Sequence, residues 1–268
     1  MRTFLLVFLL CYMLPTFTYS QSPYQTSWKK EWPYIGSGVS TLSLGFYLNA
    51  RSKLFTGDEL LALNPANINS FDRIAVSNFS KNADHVSDVF LYGSVVAPFL
   101  LLGGRESRSR FGQIMILYGE AFAINGGVTL ISKSLFKRPR PYVFNEEVLT
   151  DFKLSKKARA SFISGHTSVT ALNSFFAAKV FSDFYPNSKW KPVVWTLAAT
   201  IPAATGYLRV RAGKHFPTDV IAGYAVGAAI GILVPHFHRN KNKKSTNLHL
   251  DMGYNQARLV WQFNRCSH

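Results

Sequence analysis

The chain has 268 residues, 47% of them hydrophobic and 16% charged, with thirty Lys and Arg against fourteen Asp and Glu and a formal net charge of +16. An average soluble domain is about 25% charged, so the balance tilts towards a membrane protein. A mean hydropathy close to zero keeps a soluble helical protein with buried apolar helices as the competing reading. The cationic excess suits phosphates, anionic headgroups or nucleic acid as partners.

The first twenty residues read as a secretory signal: Arg2 supplies the positive start, residues 4–17 an apolar core, and Thr18-Tyr19-Ser20 a small-residue site, with cleavage expected before Gln21. Cys11 would leave with the signal and Cys266 would remain alone, which excludes an intramolecular disulfide and a thiolate metal site. Leu10 before Cys11 argues against lipoprotein processing.

Uncharged runs of helical length follow at residues 32–50, 89–104, 111–132 (broken only by Glu120), 167–178, 192–208 and 220–237. Most approach the roughly 20 residues that span a bilayer. Their Gly, Ala, Ser and Thr content suits close helix packing in lipid. The expected fold is all-α, a membrane-embedded bundle of about six core helices, with a weak β-like tail at 248–263. The expected organisation is a signal at 1–20, an N-terminal segment at 21–84 with one apolar helix and a periplasmic loop, a core at 85–237 and a basic tail at 238–268.

If the last four runs cross alternately, residues 133–141, 164–166 and 209–219 emerge on one face. The other face then carries residues 105–110, Lys189, Lys191 and the basic stretch 238–244, and the positive-inside tendency makes it cytoplasmic. The convergent face is thus expected to be periplasmic. A cleaved signal combined with a full crossing by residues 32–50 would invert this arrangement, so that run is expected to pack without a normal crossing, or the signal to be retained.

Three motifs stand on the convergent face: Lys133, six residues, then Arg140-Pro141; Ser164-Gly165-His166; and Arg209, five residues, His215, three residues, Asp219. In order and spacing they resemble the tripartite signature of the type 2 phosphatidic acid phosphatase superfamily, over roughly residues 85–235. That superfamily includes membrane lipid phosphatases, soluble bacterial acid phosphatases and vanadium haloperoxidases. Two positions depart from the pattern: Ile163 stands where Pro is usual before Ser-Gly-His, and Leu208 where Ser is usual before the arginine.

The chemistry of the residues agrees with the resemblance. Phosphoryl transfer is catalysed mainly by positioning and electrostatics, and Lys133, Arg140 and Arg209 supply fixed cations, arginine as a two-pronged donor and lysine as a point charge. Ser164 offers a hydroxyl and Gly165 a closely approaching backbone N–H, at a helix start that adds its dipole. The resemblance makes His215 the nucleophile that becomes a phosphohistidine and His166 the general acid. Asp219, one helical turn after His215, is expected to accept a hydrogen bond from its ring and fix the tautomer. The reaction so drawn needs no metal and no cofactor.

Outside the motifs, Lys137, Arg138 and Arg211 read as contributors to a general positive field. His236 and His238 read as tail residues, and Glu120 as a structural hydrogen-bonding group facing the bundle interior. Trp190, Trp195 and Tyr185 suit an interfacial belt. With its cations at helix ends, the chain is not expected to bind nucleic acid. The expectation is a bacterial inner-membrane enzyme releasing phosphate from a phosphorylated lipid at the periplasmic face. A soluble periplasmic acid phosphatase and, from another class, a polytopic transporter are the alternatives.

Overall fold

A computed structural model describes residues 22–240, 247–253 and 256–262. The expected signal, Cys11 and Cys266 lie outside the described residues. Six long helices carry the fold: α1 (Trp28–Ala50), α2 (Lys81–Val95), α3 (Phe111–Phe136), α4 (Gly165–Phe184), α5 (Lys191–Arg211) and α6 (Pro217–Phe237). Each of the six apolar runs falls in one of them, the 89–104 run continuing past α2 into a 3-10 turn at Ala97–Gly103. The β-like tail forms an antiparallel hairpin, β1 (Asn247–Gly253) and β2 (Gln256–Gln262), with Asn247 opposite Gln262.

Local chemistry sets the helix boundaries. Ser80 caps α2 by accepting the Ala83 N–H, and Ser164 caps α4 by accepting that of Thr167. α3 stops where Lys137 turns left-handed (φ 45°) ahead of Arg138-Pro139. Pro217 opens α6, where its missing N–H costs nothing, and the Asp219 carboxylate accepts the Phe216 N–H.

α4 is the central helix, packed by α2, α3, α5 and α6. Its interior polar side chains are satisfied by neighbours: Asn173 accepts from Tyr118 and donates to Ser94, and Ser168 donates to Asn125. The closest packing is with α6, where Gly223, Gly227 and Gly231 recur one turn apart. A Cβ on these three would come within 2.5, 2.0 and 2.7 Å of the carbonyl oxygens of Ser164, Ser168 and Leu172. Backbone therefore lies directly on backbone along a small-residue stripe. The main apolar core joins Ile114, Leu117 and Ala121 of α3 to Leu172, Phe176 and Val180 of α4.

α1 lies along α3 in the same direction. Gly38 faces Ala123, and Gly45 faces Leu130 seven residues further along both helices. The first apolar run thus lies along α3 through the depth of the bundle. The six helices alternate, and both the start of α1 and the end of α6 lie at the end opposite the motifs.

The segments 81–103, 111–144 and 217–237 are long and apolar enough to cross a membrane. Only 22% and 28% of the most apolar windows of the first and last are buried by protein. Val89, Tyr92 and Leu100, Leu135 and Phe136, Leu197 and Tyr207, and Ile221 and Phe237 all point outwards, forming an apolar girdle of the kind lipid requires. Of the expected aromatic belt only Trp190 is exposed. Trp195 donates to Ser182, and Tyr185 packs against Ser107.

Candidate active site

The three motifs meet at one end of the bundle, and the segment Ala158 to Ile163 ties them together. Lys133, on the last turn of α3, reaches the carbonyls of Ala160 and Ile163, each at 2.8 Å. The Arg140 N–H donates to the Ala158 carbonyl (2.8 Å), and its guanidinium leans on that of Ala160 (3.4 Å). The Ser161 carbonyl lies 2.7 Å from Nδ1 of His215. Ile163, one of the two departures from the motif pattern, is buried and serves through its carbonyl.

His215 sits in the turn between α5 and α6 at 1% exposure. Gly213 makes that turn with a positive φ of 67°, where a Cβ would strike the Asn78 carbonyl. Because a carbonyl only accepts, Nδ1 of His215 must carry the proton, which leaves the Nε2 lone pair available. The expected acceptor was Asp219, but its Oδ2 lies 3.8 Å from Nδ1. Asp219 is instead saturated by Arg138 (2.5 Å), the Ser161 hydroxyl (2.5 Å) and the Phe216 N–H (2.9 Å). The tautomer is the expected one, held by a backbone oxygen that Asp219 positions. Burial, followed by the charges of Lys133, Arg140, Arg209 and His166, holds the His215 pKa well below its ordinary value.

Arg209, on the last turn of α5 and 3% exposed, donates to Asp84 (2.6 Å) and Ser87 (3.1 Å) of α2. Its Nε and the Nε of Arg140 are both buried without a hydrogen-bond partner. Ser164 donates its own N–H to the Asp219 carbonyl (3.0 Å), so the second and third motifs are also joined directly. His166, in the first turn of α4, shares a hydrogen bond with Asp88 through Nε2 at 2.8 Å. Gly165 has room to spare, since a Cβ there would meet nothing nearer than Thr129 at 3.5 Å. Close packing is thus not what selects glycine at that position.

Sequence reasoning missed Asp72, Asp84, Asp88 and Ser161, and read Arg138 only as part of a general positive field. Arg138 bridges Asp72 (2.7 Å) and Asp219, while Asp72 also receives the N–H and hydroxyl of Thr218. The available signal was the spacing of Asp84, Ser87 and Asp88, which share one helix face. Beside Asp84 and Lys214 opens a cavity of about 390 Å³ lined by Phe79, Val148, Leu149 and Phe152. Asp84 in its wall is the residue that also holds Arg209.

Residues 114–243 match the profile of the PAP2 superfamily, and they contain all three motifs. A PAP2 superfamily domain thus occupies residues 114–243 of the chain. The chain is 34% identical over 98 residues to phosphatidylglycerophosphatase B of Bacillus subtilis (strain 168), an alignment covering 34% of this chain and 46% of that protein. The aligned stretch therefore spans about half the length of that relative. A crystal structure of a transmembrane PAP2-type phosphatidylglycerolphosphate phosphatase from Bacillus subtilis is also similar, with a TM-score of 0.46 and 23% identity, over 75% of this chain and 95% of that one.

Proposed function

We propose that the protein is a metal-independent membrane phosphatase that hydrolyses a lipid phosphate or pyrophosphate through a phosphohistidine intermediate, with its site on the periplasmic face. The reading rests on the buried Nε–H groups of Arg140 and Arg209, which have no acceptor among the described residues, beside an imidazole whose Nε2 is unprotonated. Buried donors of this kind call for an anion.

In this reading Nε2 of His215 attacks phosphorus, and the P–O bond to the leaving group breaks as His166 gives that oxygen a proton. A water deprotonated by His166 then cleaves the P–N bond, releasing phosphate and restoring the imidazole. Lys133, Arg140, Arg209, the Ser164 hydroxyl and the Gly165 N–H hold the phosphoryl oxygens. Asp88 orients His166, and Asp219 orients His215 through Ser161. Residues 85–237 carry the catalytic core, with Asp72 and Asp84 contributed from the segment before it.

The lipid substrate is supported by the exposed girdle and by the cavity at Phe79 and Phe152, which can receive the part of the substrate behind the phosphate. The name of the Bacillus subtilis relative, phosphatidylglycerophosphatase B, suggests phosphatidylglycerophosphate as one substrate. Undecaprenyl pyrophosphate, phosphatidic acid and lipid A phosphates share the same phosphate chemistry. Purified protein in detergent should release phosphate from at least one of these four classes, with EDTA leaving the catalytic step unaffected. No release from any of them, with substrate uptake into reconstituted vesicles, would favour the transporter reading.

A further inference from the structure

At the end of the bundle opposite His215, three buried side chains from three elements meet. Glu31 comes from the first turn of α1, Glu120 from α3 and His238 from the residue that closes α6, each 4% exposed. His238 is therefore not the tail residue the sequence suggested. Its Nδ1 lies 2.7 Å from the Val234 carbonyl and must carry the ring proton, so Nε2 presents a lone pair. Nε2 is 3.0 Å from Oε2 of Glu31 and 3.4 Å from Oε2 of Glu120. Neither contact has hydrogen-bond geometry: Nε2, Oε2 of Glu31 and both oxygens of Glu120 are buried without a hydrogen-bond partner. Among the described residues no Lys or Arg forms an ion pair with either carboxylate. Acceptors converge here without a donor between them, and buried carboxylates need a cation to offset desolvation.

We infer that Glu31, Glu120 and His238 bind a divalent transition-metal ion of the zinc class. Zinc takes imidazole nitrogen and carboxylate oxygen at about 2.0–2.2 Å, and in a tetrahedral site such ligands lie about 3.3 Å apart. The separations of 3.0 and 3.4 Å fit those edges. The outer contacts also fit. A metal-bound imidazole usually donates its other N–H to a carbonyl, as His238 does to Val234. The Ser27 N–H holds Oε1 of Glu31 at 3.2 Å and turns Oε2 inwards. The absence of sulfur favours zinc or manganese over soft copper. A fourth position remains for water or the second oxygen of Glu120.

The ion's role is structural. Glu120 and Lys133 are thirteen residues apart on α3, about 20 Å at 1.5 Å per residue, so the ion is remote from the phosphate site. It fastens α1 and α3 to the end of α6, where Tyr24 also pairs with Arg239 and the Gln25 N–H reaches the His238 carbonyl.

The test uses full-length protein in detergent, purified on a tag without histidine. After equilibration with zinc chloride and desalting, elemental analysis should find about one zinc per chain, and cobalt loading should give the visible absorption of a four-coordinate site. Chelation should lower Tm by several degrees and zinc should restore it, because an ion that binds only the folded chain stabilises it. Phosphate release per folded molecule should not change. Glu120→Gln and His238→Ala should lose the bound metal and the response of Tm to zinc. The wild-type cycle of removal and reloading decides the matter even where a variant fails to fold. Wild-type protein that holds no zinc, gives no cobalt spectrum and keeps its Tm in chelator would overturn the proposal and leave the cluster joined by protons alone. Metal that persists in both variants would place the ion elsewhere.

Discussion

Arg138 connects two fully buried aspartates from distant parts of the chain, Asp72 before α2 and Asp219 in α6, and stacks on the Phe216 ring at 4.2 Å. Removing it leaves both carboxylates without their cation, a loss of the kind that costs about 3–5 kcal/mol. Thermal unfolding in detergent should therefore show a large fall in Tm for Arg138→Met and almost none for Arg211→Met, since Arg211 is exposed and makes one long contact to Asn78. Equal effects would mean that the bridge carries no stability. The proposed nucleophile gives a second residue-scale expectation. His215 must be neutral to attack, and burial together with the surrounding cations lowers its pKa. The acid limb of kcat/KM, corrected for ionisation of the substrate, should thus fall below the ordinary histidine value of about 6.5. Activity should persist as pH drops through 6.5 and be lost only at the lowered pKa. Half-loss at or above about 6.5 would contradict this.

At this scale the sequence showed the groups proposed to face the phosphate and hid those that hold them. Lys133, Arg140, Ser164, His166, Arg209, His215 and Asp219 stand in short motifs whose spacing is itself chemical information. Asp72, Ser161 and Arg138 act through contacts between residues 58, 66 and 81 positions apart, and no local pattern announces them. The acceptor for His215 was misread for the same reason. One helical turn placed Asp219 near the ring, but only the folded path of residues 158–163 reveals that a carbonyl lies closer.

Among the elements, the pairing of α4 with α6 sets the geometry of the site, because Ser164 and Asp219 lie at the ends of these two helices. The glycine stripe allows that approach. A Cβ on Gly227 would lie 2.0 Å from the Ser168 carbonyl, whereas one on Gly119 meets nothing within 4 Å. Gly227→Ala should force the helices apart and cost about 1–3 kcal/mol as overpacking does. Gly119→Ala should be neutral or stabilising by up to about 1 kcal/mol through helix propensity. Tm and phosphate release measured on the pair check this, and a Gly227→Ala protein with unchanged Tm and rate would remove the stripe from the account. All six helices were legible as apolar runs. The direction of α1 was not, because a run of small and apolar residues states its length but not the partner beside which it lies.

For the whole molecule, the course of α1 bears on orientation. If α1, which starts opposite the motifs, crosses the membrane fully, a cleaved signal and a periplasmic site exclude each other: cleavage would export the start of α1 and turn the proposed phosphate site inwards. Cations stand at both ends, Lys29, Lys30, Arg105, Arg108, Arg110, Lys189, Lys191 and Arg239 opposite the motifs and Arg51, Lys53, Arg73, Lys81, Lys153, Lys156, Lys157 and Arg159 beside them, so the positive-inside tendency does not single out the outward reading. That reading requires retention of the first twenty residues without export of the start of α1. In a background lacking Cys11 and Cys266, an impermeant maleimide applied to intact spheroplasts should label Lys157→Cys, exposed near the motifs, and spare Lys189→Cys, exposed at the far end. The reverse pattern would place the site in the cytoplasm and support cleavage.

The central claim is that His215 carries the phosphoryl group between two half-reactions. Rapid acid-free quenching of enzyme mixed with a lipid substrate labelled in its phosphate tests it most directly. The account predicts transient, alkali-stable and acid-labile label on a peptide containing His215, greater in His166→Ala because hydrolysis of the intermediate is slowed, and absent from folded His215→Ala, whose turnover is also abolished. Phosphate release by the wild type with no covalent label at any time, or label and turnover persisting in His215→Ala, would contradict it.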